Sequence, residues 1–232
     1  MLAPDGVVDL RGADGAEFVV AYPADAVVVV SGLPGAGKST LLRRWSGGRP
    51  GEACGAPVVD PRAVHEACEA VMPAWLPYGV YRPWARWEHF RLLRRSVRRG
   101  GPLLVHDCGS RAWMRRWLAS EAGRRGRELH LVLLDVGAMT AIEGQRARGR
   151  HASVRVFARH RRGLERLSRA FTGHVRSDGP TLPPPVAPAL TPALPAVRTR
   201  AAAPVPHPTP EAVSVLLLDG VSRSRAVGVR FG

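Results

Sequence analysis

Five short runs of apolar residues along the chain predict the strands of one β-sheet. The first, residues 26–30, contains four consecutive valines and lies between Pro23 and Gly32. A β-branched run without polar positions is typical of a strand that is buried on both faces of a parallel sheet. The other four predicted strands are residues 57–60, 103–107, 129–135 and 213–219.

Apolar residues at helical spacing separate these runs. Four helices are predicted at residues 40–45, 111–123, 138–148 and 154–171. A further helix is predicted from a stripe that we expect to face the core, made of Trp84, Trp87, Phe90, Leu93 and Val97. The alternation of strands and helices predicts an α/β fold with right-handed crossovers. Near the N-terminus, residues 7–10 and 17–20 flank a glycine-containing turn and predict a hairpin.

The pattern stops at residues 179–210, which are rich in Pro, Ala, Thr and Val. Proline continues neither a helix nor a central strand, so we interpret this segment as a linker or disordered insertion. A PxxP ligand for an aromatic groove is the alternative. The predicted organisation is a domain over residues 1–178, this linker, and residues 211–232, which carry the last strand of the same sheet and the C-terminus.

Length and composition exclude several classes of protein. The chain has 232 residues, 45% of them hydrophobic, which suits one domain with a sizeable core. No apolar run has the length of a membrane span, and no basic-then-apolar leader is visible at the N-terminus. The three cysteines include no CxxC pair, which argues against a disulfide framework. We therefore expect a cytoplasmic protein without membrane contact.

The positive charge of the chain is concentrated in its middle. The formal net charge is +15, and residues 82–176 contain 23 arginines against 7 acidic residues. Such a segment favours phosphate-rich partners, which would be nucleotides, polynucleotides or anionic surfaces. The alternative is codon bias that replaces lysine by arginine, since the chain has 33 arginines, a single lysine and no asparagine. Under either interpretation the position of the single lysine, Lys38, is informative.

Lys38 lies in a complete P-loop pattern, with a predicted strand before it and a helix after it. Its glycines allow backbone N–H groups to curl around phosphate oxygens at the N-terminus of a helix. Lys38 is predicted to reach the β- and γ-phosphates, and the Ser39 hydroxyl to bind Mg²⁺. The predicted nucleotide-binding residues are Gly32, Leu33, Pro34, Gly35, Ala36, Gly37, Lys38, Ser39 and Thr40.

Asp107 ends the third predicted strand, where a carboxylate holds Mg²⁺ through water in many P-loop proteins. Hydrolytic motor ATPases usually place a glutamate after this aspartate, whereas here the neighbour is Cys108. The pattern therefore favours phosphoryl transfer to a bound acceptor over motor-type hydrolysis. The predicted cofactors are ATP and Mg²⁺.

Three further residues are candidates for catalysis. Asp60 ends the second predicted strand and would accept the proton of an acceptor hydroxyl, or would only form the turn before Pro61. Arg146 and Arg150 lie four residues apart around a glycine. They would neutralise the moving phosphoryl group from a mobile segment, or would only end a solvated basic helix.

The P-loop, the aspartate at the end of strand two and the arginine-rich segment after strand four together resemble the small P-loop kinases. This group includes AAA-type ATP-binding proteins and relatives of polynucleotide kinases, zeta toxins and antibiotic phosphotransferases. The resemblance covers roughly residues 26–170 and the last strand. It implies a three-layer P-loop fold with a mostly parallel five-stranded sheet in the order 2-3-1-4-5. It also implies phosphate and Mg²⁺ roles for Lys38 and Ser39, an acceptor base at Asp60, and lid arginines at Arg146 and Arg150.

Two departures from these kinases leave the acceptor open. The Asp60–Arg62 spacing is shorter than the Asp-x-x-Arg of polynucleotide kinases, and the proline-rich insertion is unlike compact members. In residues 75–99, where small kinases build the acceptor site, aromatic residues interleave with arginines and would either stack bases or face the core.

The resulting hypothesis is a kinase that moves the γ-phosphoryl of ATP to a nucleotide, a polynucleotide end or a small metabolite. The alternative is a nucleotide-dependent binding module that holds nucleic acid or a protein without productive transfer. Slow ATP hydrolysis is compatible with both.

Overall fold

The computed structural model describes residues 1–47, 55–107, 111–147, 149, 153–172 and 212–232. The predicted linker at 179–210, the candidate lid residue Arg150, and Cys108 lie outside the described residues. The described strands are β1 (Gly6–Asp9), β2 (Phe18–Tyr22), β3 (Val27–Gly32), β4 (Val58–Val59), β5 (Leu103–His106), β6 (Leu129–Leu134), β7 (Ser214–Leu218) and β8 (Ala226–Phe231). The described helices are α1 (Lys38–Ser46), α2 (Pro61–Val71), α3 (Tyr78–Arg99), α4 (Ala112–Gly123), α5 (Ala138–Arg146), α6 (Val154–Thr172) and α7 (Gly220–Arg225).

The central sheet has six strands in the order β1-β7-β6-β3-β5-β4, and all the pairings are parallel. The five strands predicted from the apolar runs are all present, and their order is the 2-3-1-4-5 implied by the resemblance. All six residues of β3 are buried, because strands flank it on both sides and the faces of the sheet are covered. The fold is α/β, as expected.

The predicted N-terminal hairpin is wrong. Its first strand joins the central sheet instead, which therefore contains one strand more than predicted. β1 pairs with β7, with Gly6 opposite Ser214, whereas β2 pairs with β8 in a separate two-stranded parallel sheet. Each of the two N-terminal strands therefore finds its partner close to the C-terminus. Local alternation predicts that strands exist but carries no information about partners about 200 residues away.

The predicted apolar stripe of α3 is wrong at its first two positions. Trp84 is 37% exposed and Trp87 is 53% exposed, with the guanidinium group of Arg91 lying 5.0 Å from the centre of the Trp87 ring. The buried line along this helix is instead Tyr81, Ala85, His89, Leu93 and Val97. Phe90 is half-buried against two tryptophans of α4. This buried face of α3 packs against α2 and α4, and it includes a histidine, His89.

Residues after the proline-rich segment complete the sheet and cover the P-loop helix. β7 pairs with β6, and α7 and β8, neither of them predicted, follow it. The indole N–H of Trp45, at the end of α1, donates to the carbonyl of Ala226 at 3.1 Å. None of the described helices is long and apolar enough to cross a membrane.

Candidate nucleotide and acceptor site

The loop between β3 and α1 has the backbone that its glycines allow. Gly35 and Gly37 have φ values of 92° and 87°, in the left-handed region that side chains disfavour. A Cβ atom at Gly35 would collide with the carbonyl of Ala141 in α5, so the loop also packs closely against that helix. Gln145 of α5 donates to the carbonyl of Pro34 at 3.1 Å. The loop is therefore held in place by a neighbouring helix as well as by its own sequence.

Lys38 is buried at the first position of α1 and folds back over the loop. Its ammonium group donates to the carbonyls of Gly32 and Leu33, both at 2.8 Å. Ser39 follows in the first turn and is half-buried, and Thr40 is exposed. The loop N–H groups, the ammonium group and the helix N-terminus thus lie together, an arrangement that favours polyphosphate.

Asp107 lies just beyond β5, next to the end of β3. Its backbone N–H donates to the carbonyl of Val30 at 3.0 Å, and its carboxylate accepts a hydrogen bond of 3.3 Å from the Ser31 hydroxyl. Both side chains are buried. Sequence reasoning found Asp107 but missed Ser31, which is the residue before Gly32 in β3.

Asp60 is both the N-cap of α2 and a neighbour of β5. Its carboxylate accepts a hydrogen bond from the Arg62 N–H at 2.9 Å, and Oδ1 lies 3.1 Å from Nδ1 of His106. Burial raises the pKa of this carboxyl, but the contacts with His106 and Arg62 lower it by more, so the net pKa lies below its ordinary value. Asp60 is therefore ionised at neutral pH. Asp60 therefore caps the helix that begins at Pro61, as its turn-forming interpretation expected, and its role as acceptor base stays a prediction.

Two histidines lie close to Asp60 on α2 and α3. His89 is 7% exposed, and neither of its ring nitrogens has a hydrogen-bond partner among the described residues. Burial, followed by the nearby His65, lowers the pKa of His89 to about 4, although Asp107 and Asp60 act in the opposite direction. The His65 ring lies 3.3 Å from the Tyr78 hydroxyl. The sequence analysis indicated this region only through the aromatic residues of α3, and it singled out neither histidine.

Helix α6 brings further basic groups toward the P-loop. The pKa of His160 is lowered by burial and then by Arg159, Lys38 and Arg111, and it is raised by Asp107. His160 is therefore close enough to Lys38 and Asp107 for the charges of both residues to shift its pKa. No sequence signal marks His160 within its strongly basic helix.

Arg146 lies on α5, the helix that packs against the P-loop. Arg146 is exposed at the end of α5, and the described contacts of this helix with the loop involve Ala141, Gly144 and Gln145. Its partner in the lid prediction, Arg150, lies outside the described residues. The lid role of both arginines stays a prediction.

Some of the basic residues between 82 and 176 have a structural role. Glu121 of α4 is 4% exposed and has arginines around it from α3 and from the residues that directly follow α4. They are Arg94, Arg98, Arg124 and Arg125, with closest nitrogen–oxygen distances of 3.3–3.7 Å. These side chains join α3 to α4, so their charge is partly neutralised within the protein.

Sequence reasoning also missed Arg223 of α7. Its guanidinium group donates a hydrogen bond to the carbonyl of Ala36 in the P-loop. The two residues are 187 positions apart, and no local pattern around Arg223 resembles a nucleotide-binding motif.

Comparison with known proteins gives a family match. A family model described as an AAA domain, AAA_33, matches residues 27–171, more than half of the chain. No curated protein matches the chain.

Several solved structures are similar to the chain at low identity. The Deinococcus radiodurans tunicamycin resistance protein is 21% identical, with a TM-score of 0.43, over 62% of this chain and 80% of that one. A gluconokinase from Sinorhizobium meliloti 1021 is 18% identical, with a TM-score of 0.38, over 67% of this chain and 100% of that one. A sugar kinase from Janibacter sp. is 16% identical, with a TM-score of 0.38, over 84% and 85% of the two chains.

Proposed function

Because the chain belongs to the AAA_33 family of AAA domains, we propose that it is a kinase that uses ATP and Mg²⁺ to phosphorylate a hydroxyl group of an acceptor. The observation that carries this proposal is the ionised carboxylate of Asp60, held by His106 and Arg62 at the edge where β5 and β4 end. In an open parallel sheet, substrates gather at this edge.

The nucleotide would bind through the P-loop. The backbone N–H groups of residues 35–40 and the Lys38 ammonium group would hold the β- and γ-phosphates. The residues present fit Mg²⁺, because the Ser39 hydroxyl is at the start of α1 and Asp107 is a buried carboxylate held by Ser31. When bound, Mg²⁺ would neutralise the charge of the phosphates.

Asp60 would act as the acceptor base. As the acceptor oxygen forms its bond to the γ-phosphorus, the bond from that phosphorus to the leaving ADP oxygen breaks, and the hydroxyl proton passes to Asp60. His106 would orient the carboxylate, since its ring nitrogen lies 3.1 Å away. Lys38 would stabilise the charge of the transferring group.

The test is ATP turnover with a panel of hydroxyl acceptors, for the wild type, Asp60→Asn and the control Asp14→Asn. Asparagine also caps helices well, so Asp60→Asn removes the charge while keeping the N-cap of α2. Asp14 is exposed and has no ion pair among the described residues. We expect acceptor-dependent ADP formation that falls by about a hundredfold or more in Asp60→Asn and is unchanged in Asp14→Asn. Acceptor-independent turnover that is equal in all three proteins would contradict the proposal.

An exposed surface favours a second candidate, a nucleotide-dependent binding module for nucleic acid. Trp87 is exposed beneath the guanidinium group of Arg91, and Trp113 of α4 is 50% exposed. Exposed aromatic rings beside arginines can stack single-stranded bases. This function predicts oligonucleotide binding that weakens steeply with salt and is reduced by Trp87→Ala without loss of ATP affinity.

A further inference from the structure

Helix α5 contacts the P-loop with one of its faces. Ala141, Gly144 and Gln145 have the i, i+3, i+4 spacing that places residues on the same side of a helix. All three lie against the loop. Among the nine residues of α5, all of them described, Ala141 alone is buried. The best-buried part of this helix is therefore the part that lies on the P-loop.

Two glycines make this close contact possible. A Cβ atom at Gly35 would collide with the carbonyl of Ala141, and a Cβ atom at Gly144 would lie 2.5 Å from the carbonyl oxygen of Gly35. Gly144 is inside a helix and has no positive φ, so its own backbone does not require glycine. Glycine inside a helix is less stable than alanine. The contact with the loop is the feature that a side chain at this position would remove.

Gln145 fixes the direction of one peptide of the P-loop. Its side-chain amide donates to the carbonyl of Pro34 at 3.1 Å. The carbonyl and the N–H of a planar peptide point in opposite directions. Because α5 holds the Pro34 carbonyl, the N–H of Gly35 points away from α5.

The glycine at position 35 makes an external constraint necessary. Glycine adopts left-handed and right-handed conformations about equally well, and the φ of Gly35 is 92°. The loop sequence therefore permits the Pro34–Gly35 peptide to offer either its N–H or its carbonyl to a phosphate. The N–H is a hydrogen-bond donor, whereas the carbonyl oxygen is only an acceptor and would repel a phosphate oxygen.

We propose that Gly144 and Gln145 are positioning residues for phosphate binding, which hold the Pro34–Gly35 peptide in the orientation that offers its N–H to the phosphates. The inference rests on the nucleotide-binding part of the proposed function, and it depends neither on transfer nor on the acceptor. Coupling between two equilibria is reciprocal. If α5 holds the loop in its phosphate-binding form, bound phosphates must in turn stabilise α5.

The first experiment measures the affinity for inorganic tripolyphosphate with Mg²⁺ by calorimetry, since this probe has neither base nor ribose. Gly144→Ala is compared with Gly123→Ala at the end of α4, where no atom lies within 4 Å of the missing Cβ. Gln145→Met removes the amide donor from a side chain of similar length. Its control is Thr140→Met, at an exposed position of the same helix.

We expect the Kd of tripolyphosphate to rise by about tenfold in Gly144→Ala and in Gln145→Met, as for the loss of one hydrogen bond to a charged group. It should be unchanged in both controls. Equal affinity in the wild type and Gln145→Met would overturn the inference. If Gly144→Ala does not fold, Gln145→Met and its control decide the question.

A second experiment separates positioning from a merely structural role. Tripolyphosphate should slow the hydrogen exchange of the α5 amides in the wild type, and it should slow them less in Gln145→Met. A structural role would lower their protection equally with and without the ligand, and that result would overturn the inference.

The same proteins distinguish this inference from the proposed kinase function. Binding of tripolyphosphate and ATP that depends on Gln145, without transfer to any acceptor, would support the inference and contradict the kinase function. Transfer by a protein whose phosphate affinity is the same with and without the Gln145 amide would do the reverse. A wild type that binds neither tripolyphosphate nor ATP would contradict both.

Discussion

The guanidinium group of Arg223 donates a hydrogen bond of 2.6 Å to the carbonyl oxygen of Ala36, in the middle of the P-loop. The carbonyl and the N–H of one planar peptide point in opposite directions. The Ala36 carbonyl and the Gly37 N–H belong to the same peptide, so Arg223, by binding the carbonyl, also fixes the direction of the N–H. The phosphates would accept a hydrogen bond from this N–H. Arg223 is itself positioned by the capping box of α7, in which the Asp219 carboxylate accepts from the Ser222 N–H at 2.8 Å.

Replacing Arg223 should weaken nucleotide binding without affecting the acceptor. A hydrogen bond from a charged group contributes about 1.5–3 kcal/mol, so Arg223→Ala should raise the Kd of ATP by about tenfold or more. Arg223→Lys retains a cationic donor and should recover part of the loss. The measurement is fluorescence titration with labelled ADP and AMP, since ADP carries a β-phosphate for the loop to hold and AMP lacks it.

The control for this variant is Arg230→Ala, which removes an exposed arginine of β8. Equal loss of ADP and AMP affinity, or a fall in melting temperature that accounts for the whole effect, would show that Arg223 only stabilises the fold.

Gly37 should tolerate no side chain. Its φ of 87° disfavours a Cβ atom, and the space that this atom would take is filled by the Arg223 guanidinium group. We expect Gly37→Ala to lose detectable ATP binding and about 1–2 kcal/mol of stability. Gly126→Ala is the matched control, since Gly126 has a φ of 66° but no atom near its missing Cβ. Retained ATP binding in Gly37→Ala would mean that the loop does not need this backbone.

Asp60 should stabilise the fold in a manner that depends on pH. Its folded-state pKa is lowered below the ordinary value of 3.8, so the unfolded state takes up the proton first as the pH falls. The stabilisation is therefore present above that ordinary value and is lost as the pH falls through the folded-state pKa. Urea unfolding of wild type and Asp60→Asn should differ at neutral pH and converge in acid. Curves that stay separated by a constant amount would contradict this expectation.

His89 should have the opposite role, as a group whose protonation opposes folding. Burial, with a contribution from His65, lowers its pKa from 6.5 to about 4, so between these values the unfolded state binds a proton that folded His89 does not. The free energy of unfolding should therefore fall as the pH is lowered from about 6.5 toward 4. His89→Leu should make this decline shallower. Parallel declines in the two proteins would mean that His89 is solvated.

The nucleotide half of the site was predictable because all its signals are local. The valine run, the glycines and Lys38 stand within fifteen residues, and they fold into β3, the loop and the start of α1. The aspartates at the ends of β4 and β5 were also found, since parallel strands end at one edge.

The rest depended on partners that are distant in sequence. The hairpin failed because β1 and β2 each pair with a strand close to the C-terminus. On α3 the two possible stripes share Leu93 and Val97, and both have helical spacing. Only the positions of α2 and α4 decide that His89 is buried and that Trp87 is exposed.

The pairing of β1 with β7 and of β2 with β8 has a consequence for how the protein is made. These ladders join residues about 200 positions apart, so they give the fold a high contact order and a slow closing step. A nascent chain that has emerged only as far as α6 carries the whole P-loop sequence but lacks Arg223 and the carbonyl of Ala226 that holds Trp45. Chains released early by the ribosome should therefore be poor competitors for ATP, and ATP should stabilise only those chains whose synthesis has passed β8.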